Sequence, residues 1–313
     1  MMRYRGVLGS AVAITTVVAL GACTGDDEGS GSKNAGGGTQ TPAISPQEYR
    51  TALSAATTPL NSALSALADA KAYKGLTQRI STAEEAAAQA SARLGVVRPP
   101  AAVADEHVKL VAALQRFNED LRTLGSEVGD RELCTAASAR GRLGRADGST
   151  AVRDVAAALT AKGPDYRVDL KVPAAVKERT RRLPNGRFVR AGARGARGTL
   201  TIDNGGGSDS VVTLAKGKRP VYSVYVRKGK KYTVTGVRDG TYRVYFTGGS
   251  DWDAGAKGFS RDCAFERFEE SLAFRTTTTA TQIRWSTWRI TLQPVTGGNA
   301  RTSEVDPEDF PEG

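Results

Sequence analysis

The chain has 313 residues, enough for about two domains of ordinary size. With 40% hydrophobic and 25% charged residues it is neither disordered throughout nor an integral membrane protein, and its 35 glycines cluster in runs, which excludes a collagen-like repeat. Three Cys and one His exclude a disulfide-dense scaffold, a four-cysteine zinc site and most metalloenzyme or triad chemistry, while 44 Lys and Arg against 33 Asp and Glu give a net charge of +11.

Met1 to Gly6 carries Arg3 and Arg5 and no acid, and Val7 to Leu20 is uncharged. That is the layout of a secretory signal, too short for the ~20 apolar residues of a spanning helix. It ends in Leu20-Gly21-Ala22-Cys23, which resembles the lipobox of bacterial lipoproteins. The resemblance implies cleavage between Ala22 and Cys23 and a diacylglyceryl thioether on Cys23, with palmitate-like chains holding the protein at the outer face of the cell membrane. Two acyl chains give stable attachment where one is marginal. Thr24 to Thr41 is rich in Gly, Ser and Asp, so residues 23–44 read as a flexible tether.

Ser45-Pro46-Gln47-Glu48 has a capping-box pattern with Pro at the first helical position. Leu53, Leu60, Leu64 and Leu67 form a stripe, which Pro59 is expected to kink or restart. Leu76 to Leu94 and Val103 to Val128 repeat apolar residues at 4-3 spacing on either side of Pro99-Pro100. Two shorter helical pieces are expected around Gly141, Gly144 and Gly148, and Gly163-Pro164 closes the unit. Residues 45–163 therefore predict an antiparallel helical bundle.

Beyond residue 165 the period becomes 2. Val168, Leu170 and Val172 alternate with polar residues, and Pro184-Asn185-Gly186 reads as a hairpin turn. Strands are expected at 199–202, 211–214, 221–226, 232–237 and 242–246, with Asp239-Gly240 turning the last pair, then at 265–268, 272–275 and 283–292. The polar stretch 248–258 around Trp252 reads as a loop. Residues 164–298 thus predict an antiparallel β-sandwich or barrel, and 299–313 an acidic tail. The fold class expected is α+β in two domains.

The run from Lys231 to Tyr245 resembles the central strand pair of transthyretin-like and carboxypeptidase-regulatory sandwiches, where a G-V-x-x-G-x-Y turn joins two strands. Over nearly the whole chain, Pro99-Pro100, His107, Ile202-Asp-Asn-Gly205, Trp252-Asp253, Ile290-Thr-Leu292, Gly298-Asn-Ala300 and Asp309-Phe310 are similar to a group of uncharacterised lipoproteins of high-GC Gram-positive bacteria. This implies the architecture and no activity.

Candidate chemistry is sparse. His107 is either an acid–base group or a seam residue bonded to Asp105, Glu106 or a facing helix. Cys134 and Cys263 are expected to form an intrachain disulfide, the alternatives being buried thiols or pairing with another molecule. Asp251-Trp252-Asp253 suits calcium or a sugar, or else a Trp plugging the end of the β domain. Glu266, Glu269 and Glu270 offer half of a glycosidase pair with no identified partner. The basic residues divide into two groups: Arg179, Arg181, Arg182, Arg187 and Arg190, then Lys228, Lys230 and Lys231. These are the candidate anion-binding set, for head groups or anionic wall polymers at an exported location where nucleic acid is absent. No nucleotide, serine-hydrolase, zincin or C-x-x-C motif is present. The expectation is a non-catalytic envelope-binding module without cofactor or metal. Its rivals are an assembly protein gripping a partner through the helices, a hydrolase using Asp251, Asp253 and Glu266, and a small-ligand carrier, which Ala-rich packing disfavours.

Overall fold

A computed structural model describes residues 42–70, 73, 75–293 and 301–311. The leader, Cys23 and the tether lie outside the described residues. Among the described residues five α-helices precede twelve strands, a mixed α+β fold: α1 Pro46–Ala68, α2 Leu76–Gly95, α3 Ala104–Gly129, α4 Ala136–Arg145 and α5 Asp147–Ala161. The strands are β1 Phe188–Arg190, β2 Gly198–Asn204, β3 Asp209–Lys216, β4 Arg219–Val226, β5 Lys230–Val237, β6 Gly240–Asp253, β7 Gly258–Phe268, β8 Leu272–Phe274, β9 Thr276–Thr278, β10 Ile283–Trp285, β11 Thr287–Thr291 and β12 Thr302–Glu304. No described helix is long and apolar enough to cross a membrane.

The first helix starts as its sequence dictates. Ser45 and Glu48 bond reciprocally to each other's backbone, satisfying two of the orphan N–H groups of the first turn. Pro59 does not restart α1, which continues to Ala68. The carbonyl it orphans four residues earlier, on Ala55, accepts instead from Arg93 Nη1 of α2 at 3.3 Å. The seam residues Leu53, Leu60, Leu64, Leu67, Leu110, Leu114, Phe117 and Leu121 are all buried in one core. The N-terminus of α5 has no cap of its own, and Asp120 of α3 supplies one by accepting from Gly148 N at 2.8 Å. A Cβ on Gly148 would lie 2.5 Å from Phe117 N, so this glycine permits the contact between the two helices.

His107 sits in that seam, buried, with Tyr49 Oη 3.0 Å from its Nδ1. Its partners are Tyr49 and the Leu94 carbonyl rather than Asp105 or Glu106. Burial lowers its pKa against the opposing pull of that carbonyl, and burial followed by the nearby Glu106 charge raises Tyr49 to about 12. The folded state therefore holds His107 neutral with Tyr49 donating to it.

The β part contains a large sheet, ordered β1-β4-β3-β6-β7-β12 with β8 on the start of β6, a smaller sheet ordered β11-β2-β5, and the pair β9-β10. All pairings are antiparallel except β11 with β2, which is parallel. Leu200, Ile202, Val234 and Val237 of the smaller sheet share one core with Val212, Leu214, Val224 and Val244 of the larger.

Several turns differ from expectation. The two residues Arg238-Asp239 do not close a hairpin, because β5 pairs with β2 and β6 with β3. Burying Val237 and Tyr242 in the shared core sends the chain from one sheet to the other, and Gly240, at φ 146°, takes the corner. Residues 248–253 extend β6, with Trp252 buried and not in a loop. The alternation at Val168, Leu170 and Val172 is real, but those residues pack on the helical core without a strand ladder. Asn61 of α1 holds this segment, donating to the Asp169 carbonyl at 2.7 Å and accepting from Lys171 N at 2.8 Å. The turn at Pro184–Gly186 leads into β1, which pairs with the distant β4. Within the acidic tail, β12 adds an edge to β7, and Val305 and Phe310 pack on Tyr245 and Phe265.

Cys134 and Cys263 form a disulfide with Cα atoms 6.4 Å apart, joining the loop after α3 to β7. Beside it, Cys134 N donates to Ser260 O at 2.9 Å and Cys263 N to Arg131 O at 3.1 Å. The crosslink spans 129 residues, so removing it releases a large loop in the unfolded chain. The Cys134→Ser/Cys263→Ser double variant is expected to lose about 3–5 kcal/mol, read by denaturant unfolding, and reductant should do the same to the wild type alone. Because His107 is held neutral when folded and ionises near 6.5 when unfolded, protonation favours the unfolded chain. Between pH 7.5 and 5 the wild type should therefore lose more thermal stability than His107→Gln.

Candidate anion-binding site

The densest basic segment, 177–190, runs from the helices across one end of the large sheet. Its two adjacent arginines are fastened there. Arg181 donates to Asp251 from its backbone N, Nε and Nη2, each at 2.8 Å, and lies 3.8 Å from Asp253. Trp252 N returns a bond to Arg181 O at 2.9 Å. The β6–β7 register shifts where Asp262 and Cys263 of β7 face Gly249 alone, a bulge on β7, and Asp251 just beyond it on β6 takes φ 56°. Arg182 grips Asp209 with a two-pronged contact, Nε to Oδ2 and Nη2 to Oδ1, both at 2.6 Å.

Asp209 is a hub. It also accepts from Tyr225 Oη at 2.5 Å and from Lys228 N at 2.9 Å. Burial pushes its pKa up, and the bonds from Arg182, Tyr225 and Lys228 N more than reverse that, leaving it at about 2. Burial, then the bond to Asp209, raises Tyr225. Asp251 is pushed up by burial and pulled below its ordinary value by Arg181. Both carboxylates are thus ionised counterions to the arginines.

These contacts revise the candidate set. Arg181 and Arg182 are fasteners whose charge is neutralised, so they are withdrawn from the anion-binding surface. Lys231 is partly neutralised, its Nζ 3.0 Å from Asp203, which also takes Arg289 at 3.0 Å. Arg179 lines a cleft of about 270 Å³ between α4, the basic segment and β7, where its carbonyl accepts from Arg261 Nη2. Glu178 in that cleft faces Arg145 at 2.7 Å and Arg261 at 3.7 Å.

The remaining cations gather around the β4–β5 turn. Asn185 holds the Pro184–Arg187 turn against it, accepting from Arg227 N at 3.0 Å and donating to Lys231 O at 3.0 Å. Gly186, at φ 81°, lies so close to the Tyr232 ring that a Cβ would sit 2.0 Å from it. The Arg187 carbonyl accepts from Tyr225 N at 2.8 Å, three residues before Lys228, and Arg187, Lys228 and Lys230 are all exposed. Among the described residues no ion pair engages Arg187, Arg190, Lys228 or Lys230. Arg190, opposite Ser223 in the β1–β4 ladder, stands further from the turn. Arg227, which sequence reasoning left out of the final set, is anchored through Nε to Leu183 O at 2.8 Å.

The other candidates separate. Trp252 lies edge-on to Tyr225 and Phe259 in a buried cluster, so its face is closed to a sugar, and Asp253 accepts from Gly255 and Ala256 N in the β6–β7 turn. Glu266 is five residues along β7 from Arg261, the partner of Ser250, which is roughly 17 Å at ~3.4 Å per residue and too far from Asp251 for a glycosidase pair. Among the described residues no group of three or more His, Cys, Asp or Glu is placed to hold a metal. No family model, curated protein or solved structure matches the chain.

Asp209→Asn should leave Arg182 without its buried counterion and lower stability by about 3 kcal/mol, the low end for a broken buried pair because the Arg182 side chain is 40% exposed. Acid titration gives the independent check. The carboxylate's contribution is complete above the unfolded value near 3.8 and is lost as pH falls toward 2, a loss absent from the variant.

Proposed function

We propose that the chain is an exported lipoprotein, cleaved between Ala22 and Cys23 and held at the outer face of the cell membrane by lipid on Cys23. On this reading residues 45–163 form an antiparallel bundle and 164–298 a β-sandwich, and the folded part acts as a non-catalytic module that binds anionic envelope polymers or head groups. The kinship with uncharacterised lipoproteins of high-GC Gram-positive bacteria belongs to the same proposal.

The observation carrying it is the contrast in charge compensation. Arg181 and Arg182 have buried carboxylate partners, while Arg187, Lys228 and Lys230, exposed on the two turns that Asn185 ties together, have no ion pair among the described residues. Uncompensated, exposed cations on two packed turns attract a polyanion at a range set by the Debye length, ~10 Å at 0.1 M salt. Lys228 and Lys230 are point charges on flexible stems, which suits spaced phosphates without a fixed geometry.

Co-sedimentation of residues 42–313 with poly(glycerol phosphate) or anionic liposomes tests this. Lys228→Glu/Lys230→Glu should weaken binding about tenfold at low salt and flatten its salt dependence, while the charge-matched Lys109→Glu/Arg116→Glu changes it little. Equal losses from both variants would reduce the effect to net charge, and no wild-type binding at low salt would end the reading.

A further inference from the structure

A second cavity, of about 240 Å³, lies over the outer face of the large sheet. Its floor is made by alternate residues of neighbouring strands, among them Val211 and Thr213 of β3, Ser223 of β4 and Thr247 of β6. Phe259 and Phe265 of β7 wall it, and Phe310 of the tail closes one side, its ring edge-on to Phe265 at 5.2 Å and to Tyr245 at 5.7 Å. Val305 N donates to Phe265 O, and Lys218 pairs with Asp309 at 2.9 Å, so the tail is fastened before and within its Pro307–Phe310 turn.

The floor carries polar groups that the protein leaves incompletely used. Thr213, Ser223 and Thr247 are 3%, 2% and 8% exposed. Thr213 Oγ1 and Ser223 Oγ are 2.9 Å apart, and that one bond uses only one of their two hydroxyl protons. The Thr247 hydroxyl has no hydrogen-bond partner among the described residues. The Thr247 hydroxyl is open to the cavity, where a ligand oxygen can take up the bonding capacity that the protein leaves unused.

We infer that this cavity is a binding site for a small uncharged ring compound bearing one hydroxyl or carbonyl group. The ring would lie against Phe259, Phe265 and Phe310, and the oxygen would bond to Thr247 and the free donor of the Thr213–Ser223 pair. Phe259, Phe265 and Phe310 give water no hydrogen bonds, so a ring that covers them gains over solvent there. Lys257 is the one charged residue in the lining, and the aromatic walls and the hydroxyl floor are uncharged. The volume falls below the ~300 Å³ floor for drug-sized ligands, so the occupant is small. The site is separate from the Arg187–Lys228–Lys230 cluster and stands whether or not that surface binds polyanions.

Benzyl alcohol is the probe, with toluene as its hydroxyl-free counterpart. Methyl resonances of Val211, Thr213 and Thr247 in the full chain should shift saturably with benzyl alcohol, at the millimolar affinity expected for about eight non-hydrogen atoms. Thr213→Val/Ser223→Ala removes both partners of one bond and leaves no buried orphan, so it should fold normally. It should weaken benzyl alcohol about tenfold and leave toluene unchanged. Thr247→Phe fills the cavity and should abolish both. Absence of saturable shifts from either probe would overturn the site, and equal response of both probes to Thr213→Val/Ser223→Ala would overturn the assigned role of the hydroxyls.

Discussion

Two adjacent arginines join the two halves of the fold. The segment 164–183 leaves α5, packs Val168 and Leu170 on the helical core, and then needs a partner on the sheet. Arg181 and Arg182 supply it by gripping Asp251 and Asp209; Asp209 pairs with Gly249 at the end of the β3–β6 ladder, two residues from Asp251. A single charged hydrogen bond at a surface contributes little, but here each carboxylate is buried and each takes three or more donors. Position therefore depends on a polar network whose members cost more unpaired than paired. The turn at Asn185, and with it the exposed cations, follows from where this fastening ends.

The disulfide performs a parallel task at the other contact. Residues 131–134 approach β7 through backbone bonds, and Arg131 and Asp262 both take left-handed conformations to allow it. These are conformations a side-chain-bearing residue resists, and a covalent link beside them limits the freedom of the chain to relax away. One contact is thus ionic and the other covalent, so acid and reductant should loosen different sides of the same junction.

Much of the helical part was legible, because its information is local. The 4-3 spacing, the Ser45–Glu48 box and Pro99-Pro100 each act within one or two turns. The strands were legible as elements and illegible as a topology. A two-residue turn such as Arg238-Asp239 looks the same whether its strands pair or enter different sheets, and only the burial of Val237 and Tyr242 decides. The period of Val168 to Val172 was read correctly and assigned to the wrong surface, since alternation reports an extended chain against something apolar without saying what. Basicity misled for a related reason. Arg181 and Arg182 belong to a dense cationic run, yet their partners stand 70 and 27 residues away. No local pattern distinguishes a fastening arginine from a free one.

Ala-rich packing bears on the helices and says nothing about the sheet. Small side chains let helices close on each other, whereas the outer face of the large sheet is covered by a loop, a turn and a tail that share no regular packing surface with it. Covering a sheet with irregular chain leaves volume, and strand residues that would meet solvent on an open face become buried. Thr213, Ser223 and Thr247 are ordinary choices for a half-exposed strand. Under Phe310 they become the floor of a cavity, and a site arises where the fold changes what those residues face.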